Sequence, residues 1–205
     1  MTADGYGKTS QRLERREVVK ALLAERGELL VIAGLGAPAW DATDAGDHPL
    51  TFPLWGAMGG AVAMGLGLAL AQPGRPVLVL TGDGELLMGM GSLATVGAQR
   101  PRNLSVVVLD NERYGETGMQ ASHTAFGVDL AACARACGFR CAALVTGMAQ
   151  VAALRADIHR AEGPLFVQIK VAQDKLPLVL PPRDGAHLKN RFREALLGTD
   201  AHFRR

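Results

Sequence analysis

Val77-Leu78-Val79-Leu80-Thr81-Gly82-Asp83-Gly84-Glu85 is the stretch of this chain that decides its fold. Its four consecutive apolar residues indicate a strand that is buried on both faces. A glycine-rich turn follows at once, and the pattern over residues 85–99 then predicts one helix. A buried strand that passes through a tight turn into a helix is typical of a parallel sheet covered by helices.

The same alternation of apolar strands and helices continues along the 205 residues. Strands are predicted at 29–33, 104–109, 142–145 and 165–171, and helices at 18–23, 60–72, 128–137, 148–162 and 187–197. No repeat, low-complexity tract or linker divides the chain. We therefore predict an α/β fold: a single three-layer domain over residues 11–205, with a mostly parallel sheet flanked by helices, after a flexible N-terminus at residues 1–10.

Composition excludes several classes of function. The net charge of +2 comes without a basic stripe, and aromatic residues make up only 5%, so nucleic acid binding is not expected. Residues 48–74 carry no Asp, Glu, Lys or Arg. The five glycines between Pro53 and Pro73, together with those two prolines, disfavour a membrane span. We expect instead a helix that is buried on all its sides within the core of a soluble protein.

Three cysteines, Cys133, Cys137 and Cys141, have no nearby histidine or fourth cysteine that would complete a zinc site. We expect small buried side chains rather than metal ligands. Cysteines without a disulfide framework fit a reducing compartment, which predicts a cytoplasmic protein.

Unusual residues follow three of the predicted strands: Gly34-Leu35-Gly36, Thr81-Gly82-Asp83-Gly84 and Asp110-Asn111. Ligands of such sheets bind beyond the carboxyl ends of the strands. The sequence therefore predicts a ligand site at this edge.

Asp83 lies between two glycines where a helix begins, and such a start offers free backbone N–H groups to phosphate oxygens. An aspartate would repel phosphates unless a cation lay between them, and Mg²⁺ binds carboxylate, amide and phosphate oxygens together. The alternative is a turn in which Asp83 only caps the helix. Asn111 favours the metal, because it follows the next strand after the 26 residues 85–110 and can offer an amide oxygen beside Asp83.

A Gly-Asp-Gly, a helix, an apolar strand and an asparagine in this order resemble the fingerprint of thiamine diphosphate enzymes. Residues 16–197 further resemble the β subunit, or C-terminal half, of sulfopyruvate and phosphonopyruvate decarboxylases. The stretches that carry this resemblance are Gly56-Ala57-Met58-Gly59, Gly82-Asp83-Gly84-Glu85-Leu86-Leu87-Met88, Gly91-Ser92-Leu93-Ala94-Thr95, Asp110-Asn111 through Gly118-Met119-Gln120, and Arg191-Phe192-Arg193-Glu194-Ala195-Leu196.

The resemblance implies a set of site residues. Asp83, Asn111 and the main-chain carbonyl of Arg113 would bind Mg²⁺, and the backbone N–H groups of Gly84 and Glu85 would bind the diphosphate. Gly56 and Met58 would hold the pyrimidine, with Met58 forcing the cofactor into its bent form. The implied cofactor-binding residues are Gly56, Met58, Gly82, Asp83, Gly84, Glu85, Asn111, Arg113 and Tyr114.

The same resemblance implies a missing half of the active site. The glutamate that activates the cofactor comes from a pyrimidine-binding domain, which this chain is too short to contain. A separate α-type subunit is therefore expected, in an α2β2 or larger hetero-oligomer. The expected substrate is a small anionic 2-oxo acid, with Glu116, Gln120 and His123 as candidate catalytic residues.

Three alternatives stay open: an acetolactate synthase-like carboligase, an oxidoreductase subunit that uses the same cofactor, and a non-catalytic regulatory subunit. No cysteine-rich cluster motif supports the oxidoreductase. Retention of both Asp83 and Asn111 argues against a subunit that has lost catalysis.

Overall fold

The computed structural model describes residues 12–203, so the predicted flexible residues 1–10 lie outside the described part of the chain. Its main sheet contains β1 (Leu30–Ala33), β2 (Thr51–Pro53), β3 (Val77–Gly82), β4 (Leu104–Asp110), β7 (Cys141–Val145) and β8 (Leu165–Lys170). The strand order is β2-β1-β3-β4-β8-β7, and every pair is parallel. A separate two-stranded hairpin joins β5 (Arg113–Tyr114) to β6 (Gln120–Ala121).

Helices cover both faces of this sheet. They are α1 (Arg15–Leu23), α2 (Ala37–Asp44), α3 (Ala61–Ala71), α4 (Asp83–Met88), α5 (Ser92–Gln99), α6 (Leu130–Ala136), α7 (Met148–Arg160) and α8 (Gly185–Leu197). One core packs the sheet against α1, α2 and α7, and a second core packs it against α3, α4, α5 and α6.

Successive residues of each strand contribute alternately to the two cores. In β1, Val31 and Ala33 belong to one core, while Leu30 and Ile32 belong to the other. Successive side chains of a strand point to opposite faces of the sheet, so an uninterrupted apolar strand fills both layers. The predicted three-layer α/β fold is confirmed.

One predicted helix is two helices. Residues 85–99 form the end of α4 and the whole of α5, with a break at residues 89–91. The reason is a close backbone contact, because a Cβ on Gly89 would overlap the carbonyl group of Gly59. Asp83 is also the first residue of α4 rather than its cap, since Gly82 occupies the N-cap position.

The stretch between β1 and α3 contains two elements that the sequence pattern did not predict, α2 and β2. β2 has three residues and lies at the edge of the sheet, so it is too short to show a periodic pattern. α2 begins after Gly36, whose φ of 81° lies in the left-handed region that favours glycine.

Two burial predictions were wrong. α3 is not buried on all sides, because Ala63, Met64, Gly67 and Leu70 are exposed and form what we term the apolar α3 face. The exposure arises because α3 packs on the sheet through only one side, which includes Val62 and Leu66. Cys133 and Cys137 are half-buried and Cys141 is exposed, since the last lies on the edge strand β7. Among the described residues, no helix is long and apolar enough to cross a membrane.

Candidate active site

The carboxyl ends of β3 and β4 bring Asp83 and Asp110 together. Gly82 pairs with Leu109 in the parallel register, and Asp83 and Asp110 follow these two residues directly. Both side chains are buried, with exposed fractions of 1% for Asp83 and 0% for Asp110. The carboxyl ends of the strands, where the sequence predicts a ligand site, therefore carry two buried acids side by side.

Hydroxyl groups orient the Asp83 carboxylate. Ser122 donates a short hydrogen bond to Oδ2 of Asp83, and the hydroxyl of Thr124 lies 3.2 Å from the same oxygen. Thr124 is also 2.7 Å from Oδ1 of Asp110, so its single proton can serve only one of the two acids at a time. Both hydroxyl residues are buried, which removes water as a competing donor.

Asp83 has no cation partner among residues 12–203, whereas Asp110 does. Lys170 Nζ lies 2.6 Å from Oδ2 of Asp110, and Gln168 donates to the same oxygen at 2.5 Å. Burial raises the pKa of the Asp83 carboxyl group from 3.8 to about 6, the Ser122 hydrogen bond opposes that shift, and the charge of Asp110 adds to it. A buried carboxylate held only by neutral donors is a position that a divalent cation would stabilise.

The loop after β4 places the other predicted metal ligands. Oδ1 of Asn111 accepts a hydrogen bond from the backbone N–H of Arg113 at 3.0 Å, and Glu112 between them has a φ of 63°. An amide oxygen has two lone pairs, so this turn leaves Asn111 able to bind a cation as well. Among the described residues, no group of three or more His, Cys, Asp or Glu could hold a metal ion.

The β5–β6 hairpin returns the chain to Asp83. Residue 113 pairs with residue 121, and Ser122 follows directly with its N–H bonded to the carbonyl of Glu112. The ring of Tyr114 lies over Gly84, where a Cβ would come within 2.6 Å of two ring atoms. Gly84 is therefore required for Tyr114 to pack against the start of α4.

The predicted catalytic residues lie in and beside this hairpin, and all three are exposed. His123 Nδ1 is 3.4 Å from the hydroxyl of Tyr114, and Gln120 donates to the carbonyl of Thr117 at 2.8 Å. Glu116 reaches across to Gly36, where a Cβ would overlap its carboxylate. No hydrogen bond joins any of the three to Asp83 within the described residues.

Residues 56–60 form a tight loop before α3 that carries Gly56 and Met58. Ala57 has a φ of 59°, Gly59 has a φ of 89°, and the N–H of Gly60 bonds to the carbonyl of Ala57 at 2.8 Å. Met58 is 40% exposed, so it is available to a ligand.

A cavity of about 150 Å³ lies beside this loop. It is lined by Leu35, Gly36, Ala39, Trp40, Leu54, Trp55, Glu116 and Pro181. Glu116 is thus the one predicted catalytic residue that faces the cavity, at the end of the sheet where β1 finishes.

Four site residues were missed from the sequence: Ser122, Thr124, Gln168 and Lys170. Lys170 ends β8, so the strand-end rule that selected Asp110 could have found it. Ser122 and Thr124 carry no such signal, because only the fold of the hairpin brings them to Asp83. Gln168 is a polar residue within the apolar strand β8, but only the fold shows that it contacts Asp110.

These features define the class of protein. Residues 39–169 match the family described as thiamine pyrophosphate enzyme, C-terminal TPP binding domain, where thiamine pyrophosphate is another name for thiamine diphosphate. The chain belongs to this family. The predicted family and the predicted use of thiamine diphosphate are confirmed.

Similarity to individual proteins narrows the class of enzyme further. Sulfopyruvate decarboxylase subunit beta from Methanothermobacter thermautotrophicus is 36% identical over 186 residues, which cover 91% of this chain and 97% of the relative. Phosphonopyruvate decarboxylase from Streptomyces viridochromogenes is 37% identical over 189 residues, which cover 91% of this chain but 47% of that protein. The crystal structure of benzoylformate decarboxylase from Polynucleobacter necessarius shares the fold, with a TM-score of 0.68 at 19% identity over 87% of this chain and 36% of that one. The predicted likeness to thiamine diphosphate-dependent carboxy-lyases is therefore confirmed.

Proposed function

We propose that this chain is the diphosphate- and Mg²⁺-binding subunit of a decarboxylase that acts on sulfopyruvate or phosphonopyruvate. The observation that carries the proposal is Asp83, a buried acid that lacks a cation partner in residues 12–203 and lies at the carboxyl ends of the strands, where sheets of this kind bind ligands. The names and coverage of the relatives support the substrate class, a 2-oxo acid with a second anionic group.

The donor set at this edge fits Mg²⁺. Asp83 supplies a carboxylate, Asn111 an amide oxygen, and Arg113 its main-chain carbonyl, which are the hard oxygen ligands that Mg²⁺ prefers. Ser122 and Thr124 hold Asp83 in place before the ion binds, so the ion need not order that side chain. Magnesium would offset part of the negative charge of Asp83 and of the diphosphate.

The cofactor would extend from this metal to residues 56–60. Gly84 and Glu85 would offer backbone N–H groups to the diphosphate, with Gly82 and Tyr114 beside it. Gly56 and Met58 would hold the pyrimidine, and Met58 would keep the cofactor bent. Once bound, thiamine diphosphate supplies the nucleophilic carbon and the electron sink for loss of CO₂.

A second subunit would complete the site. The relative that this chain covers to 97% is named a subunit, while the phosphonopyruvate decarboxylase is about twice as long as the matched region. The apolar α3 face offers a surface for such a partner, since Met64 is 39% exposed and Leu70 is 50% exposed. We infer an α-type, pyrimidine-binding subunit in an α2β2 or larger assembly, and the free cysteines support a cytoplasmic location.

Glu116, Gln120 and His123 remain our candidates for groups that touch the substrate. Glu116 faces the cavity near Gly36, and His123 contacts the hydroxyl of Tyr114. Arg113, or residues of the partner, would supply the positive charge that a sulfonate or phosphonate group requires.

The test is to purify the chain with its natural partner and measure CO₂ release from sulfopyruvate, phosphonopyruvate, pyruvate and aromatic 2-oxo acids. We expect turnover of one of the first two substrates, loss of turnover in Asp83→Asn, and negligible turnover by the chain alone. Robust decarboxylation by this chain alone would overturn the partner proposal. Carboligation products in place of free aldehyde would favour an acetolactate synthase-like enzyme.

A further inference from the structure

The side chain of Glu85 is buried where three segments of the candidate site meet. It is 3% exposed, and its Oε2 accepts a hydrogen bond from the Thr81 hydroxyl at 2.7 Å. Burial raises the pKa of this carboxyl group, while the Thr81 hydroxyl and the backbone N–H groups of Ala61 and Gly59 partly lower it. Oε1 is buried and has no hydrogen-bond partner among the described residues, so these two amides influence the carboxyl group without a hydrogen bond to Oε1.

Gly34 provides the space that this side chain needs. A Cβ on Gly34 would overlap Oε2 of Glu85 and lie 3.0 Å from Oε1. Gly34 follows the last residue of β1, and its N–H bonds to the carbonyl of Leu80 at 2.7 Å, so its backbone cannot move away freely. The Glu85 carboxyl group is therefore fitted between the ends of β1 and β3.

A second contact joins the same helix to the same loop. A Cβ on Gly59 would come within 2.8 Å of the backbone nitrogen of Gly89, and a Cβ on Gly89 would overlap the carbonyl of Gly59. α4 thus touches residues 56–60 through the Glu85 carboxyl group and, at its C-terminal end, through Gly89. The first residue of α4 is Asp83, the proposed metal ligand.

We propose that Glu85 is a positioning residue whose side chain fixes residues 56–60 to α4, and so sets the position of Gly56 and Met58 relative to Asp83. The role differs from that of the Glu85 backbone N–H, because it requires the carboxylate. A carboxylate attracts the loop amides through its charge and offers two acceptor oxygens. A glutamine is neutral and offers one oxygen, so Glu85→Gln should weaken this attraction. The consequence for cofactor binding rests on the proposed function, but the contact with the loop does not.

Glu85→Gln tests the contact in the full chain without cofactor, by amide hydrogen exchange. We expect the peptide that covers residues 56–61 to exchange about tenfold faster, while peptides from β4 keep their protection. Glu162→Gln makes the same chemical change at an exposed site and should leave both peptides unchanged. Unchanged exchange at residues 56–61 in Glu85→Gln, or equal acceleration in β4, would overturn the positioning role.

The Gly34 contact supplies an independent test. Gly34→Ala should lower the melting temperature because its methyl group overlaps Glu85, and Gly34→Ala/Glu85→Ala should recover part of that loss because the overlap is gone. Residues 56–61 should nevertheless exchange fast in the double variant, which lacks the carboxylate. Recovery of slow exchange in that variant, or no recovery of the melting temperature, would contradict the proposal.

Measurements of ligand binding distinguish a failure of this inference from a failure of the proposed function. With Mg²⁺ present, Glu85→Gln should weaken the binding of thiamine diphosphate about tenfold and leave the binding of inorganic diphosphate unchanged, because only the former reaches residues 56–60. Equal weakening of both ligands would overturn the assignment. If the wild-type protein bound neither ligand, the proposed function would fail, while the exchange data would still decide the role of Glu85.

Discussion

Ser122 donates its hydroxyl proton to Oδ2 of Asp83 across 39 residues of sequence. Ser122 is 0% exposed, so water cannot replace this donor. The hydrogen bond fixes the proposed metal ligand before any ion binds. It also links the return arm of the β5–β6 hairpin to the first residue of α4.

Ser122→Ala should weaken the Mg²⁺-dependent binding of thiamine diphosphate by about 10- to 100-fold, because groups that orient a metal ligand carry effects of that size. Titration calorimetry measures the change. Thr117→Ala is the matched control, since Thr117 lies in the same hairpin but is exposed. If Ser122→Ala bound as tightly as the control, Asp83 would not depend on this hydrogen bond.

Asp83 should make the metal-free chain sensitive to pH. Its folded pKa of about 6 lies above the ordinary value of 3.8, so the folded chain binds the proton more tightly than the unfolded chain does. This contribution to stability is present at low pH and is lost as the pH rises through about 6. Relative to Asp83→Asn, the wild-type free energy of unfolding should fall by roughly 2–3 kcal/mol between pH 4 and pH 7.5.

Denaturant unfolding at the two pH values, in chelator, measures that difference. Adding Mg²⁺ at pH 7.5 should stabilise the wild type and leave Asp83→Asn unaffected. A pH dependence shared by both proteins would mean that Asp83 is not the titrating group.

Lys170→Met should destabilise the fold by about 2–3 kcal/mol, because it leaves the buried Asp110 carboxylate without its cation. This destabilisation is at the low end for loss of a buried ion pair, because the Lys170 side chain is 22% exposed. Asp110→Asn/Lys170→Met should recover much of the loss, and Lys175→Met serves as an exposed control. Equal stability of Lys170→Met and Lys175→Met in denaturant melts would contradict the pairing.

Met64→Glu should abolish assembly with the partner without unfolding the chain, because it places a charge on the apolar α3 face. Phe203→Glu introduces the same charge at a side chain that is 84% exposed and should assemble normally. Sedimentation velocity with the co-expressed partner compares the two variants. Normal assembly of Met64→Glu would assign the partner to a different surface.

The sequence was informative where local pattern determines structure. β3 and β4 are apolar on both faces, so their existence, their layer and the placement of Asp83 and Asp110 at one edge could all be predicted. The end of α4 could not be predicted, because it depends on a backbone contact between Gly59 and Gly89, which are 30 residues apart.

The residues of the candidate site also fall into those that the sequence could predict and those that it could not. Asp83 and Asn111 follow strands and carry a recognisable motif, whereas Ser122 and Thr124 reach Asp83 only through the hairpin fold. The exposed side of α3 was missed for a different reason. An all-apolar helix predicts burial in the complete assembly, and the side away from the sheet is open in a single chain.

The central claim is that Asp83 binds the metal through which the cofactor diphosphate is held. Its most direct test is calorimetric titration of thiamine diphosphate into the assembled enzyme, with and without Mg²⁺, for the wild type and Asp83→Ala. We expect tight binding only for the wild type with Mg²⁺ and no detectable Mg²⁺-dependent binding for Asp83→Ala. Binding of thiamine diphosphate by Asp83→Ala with wild-type affinity and the same Mg²⁺ dependence would contradict the account.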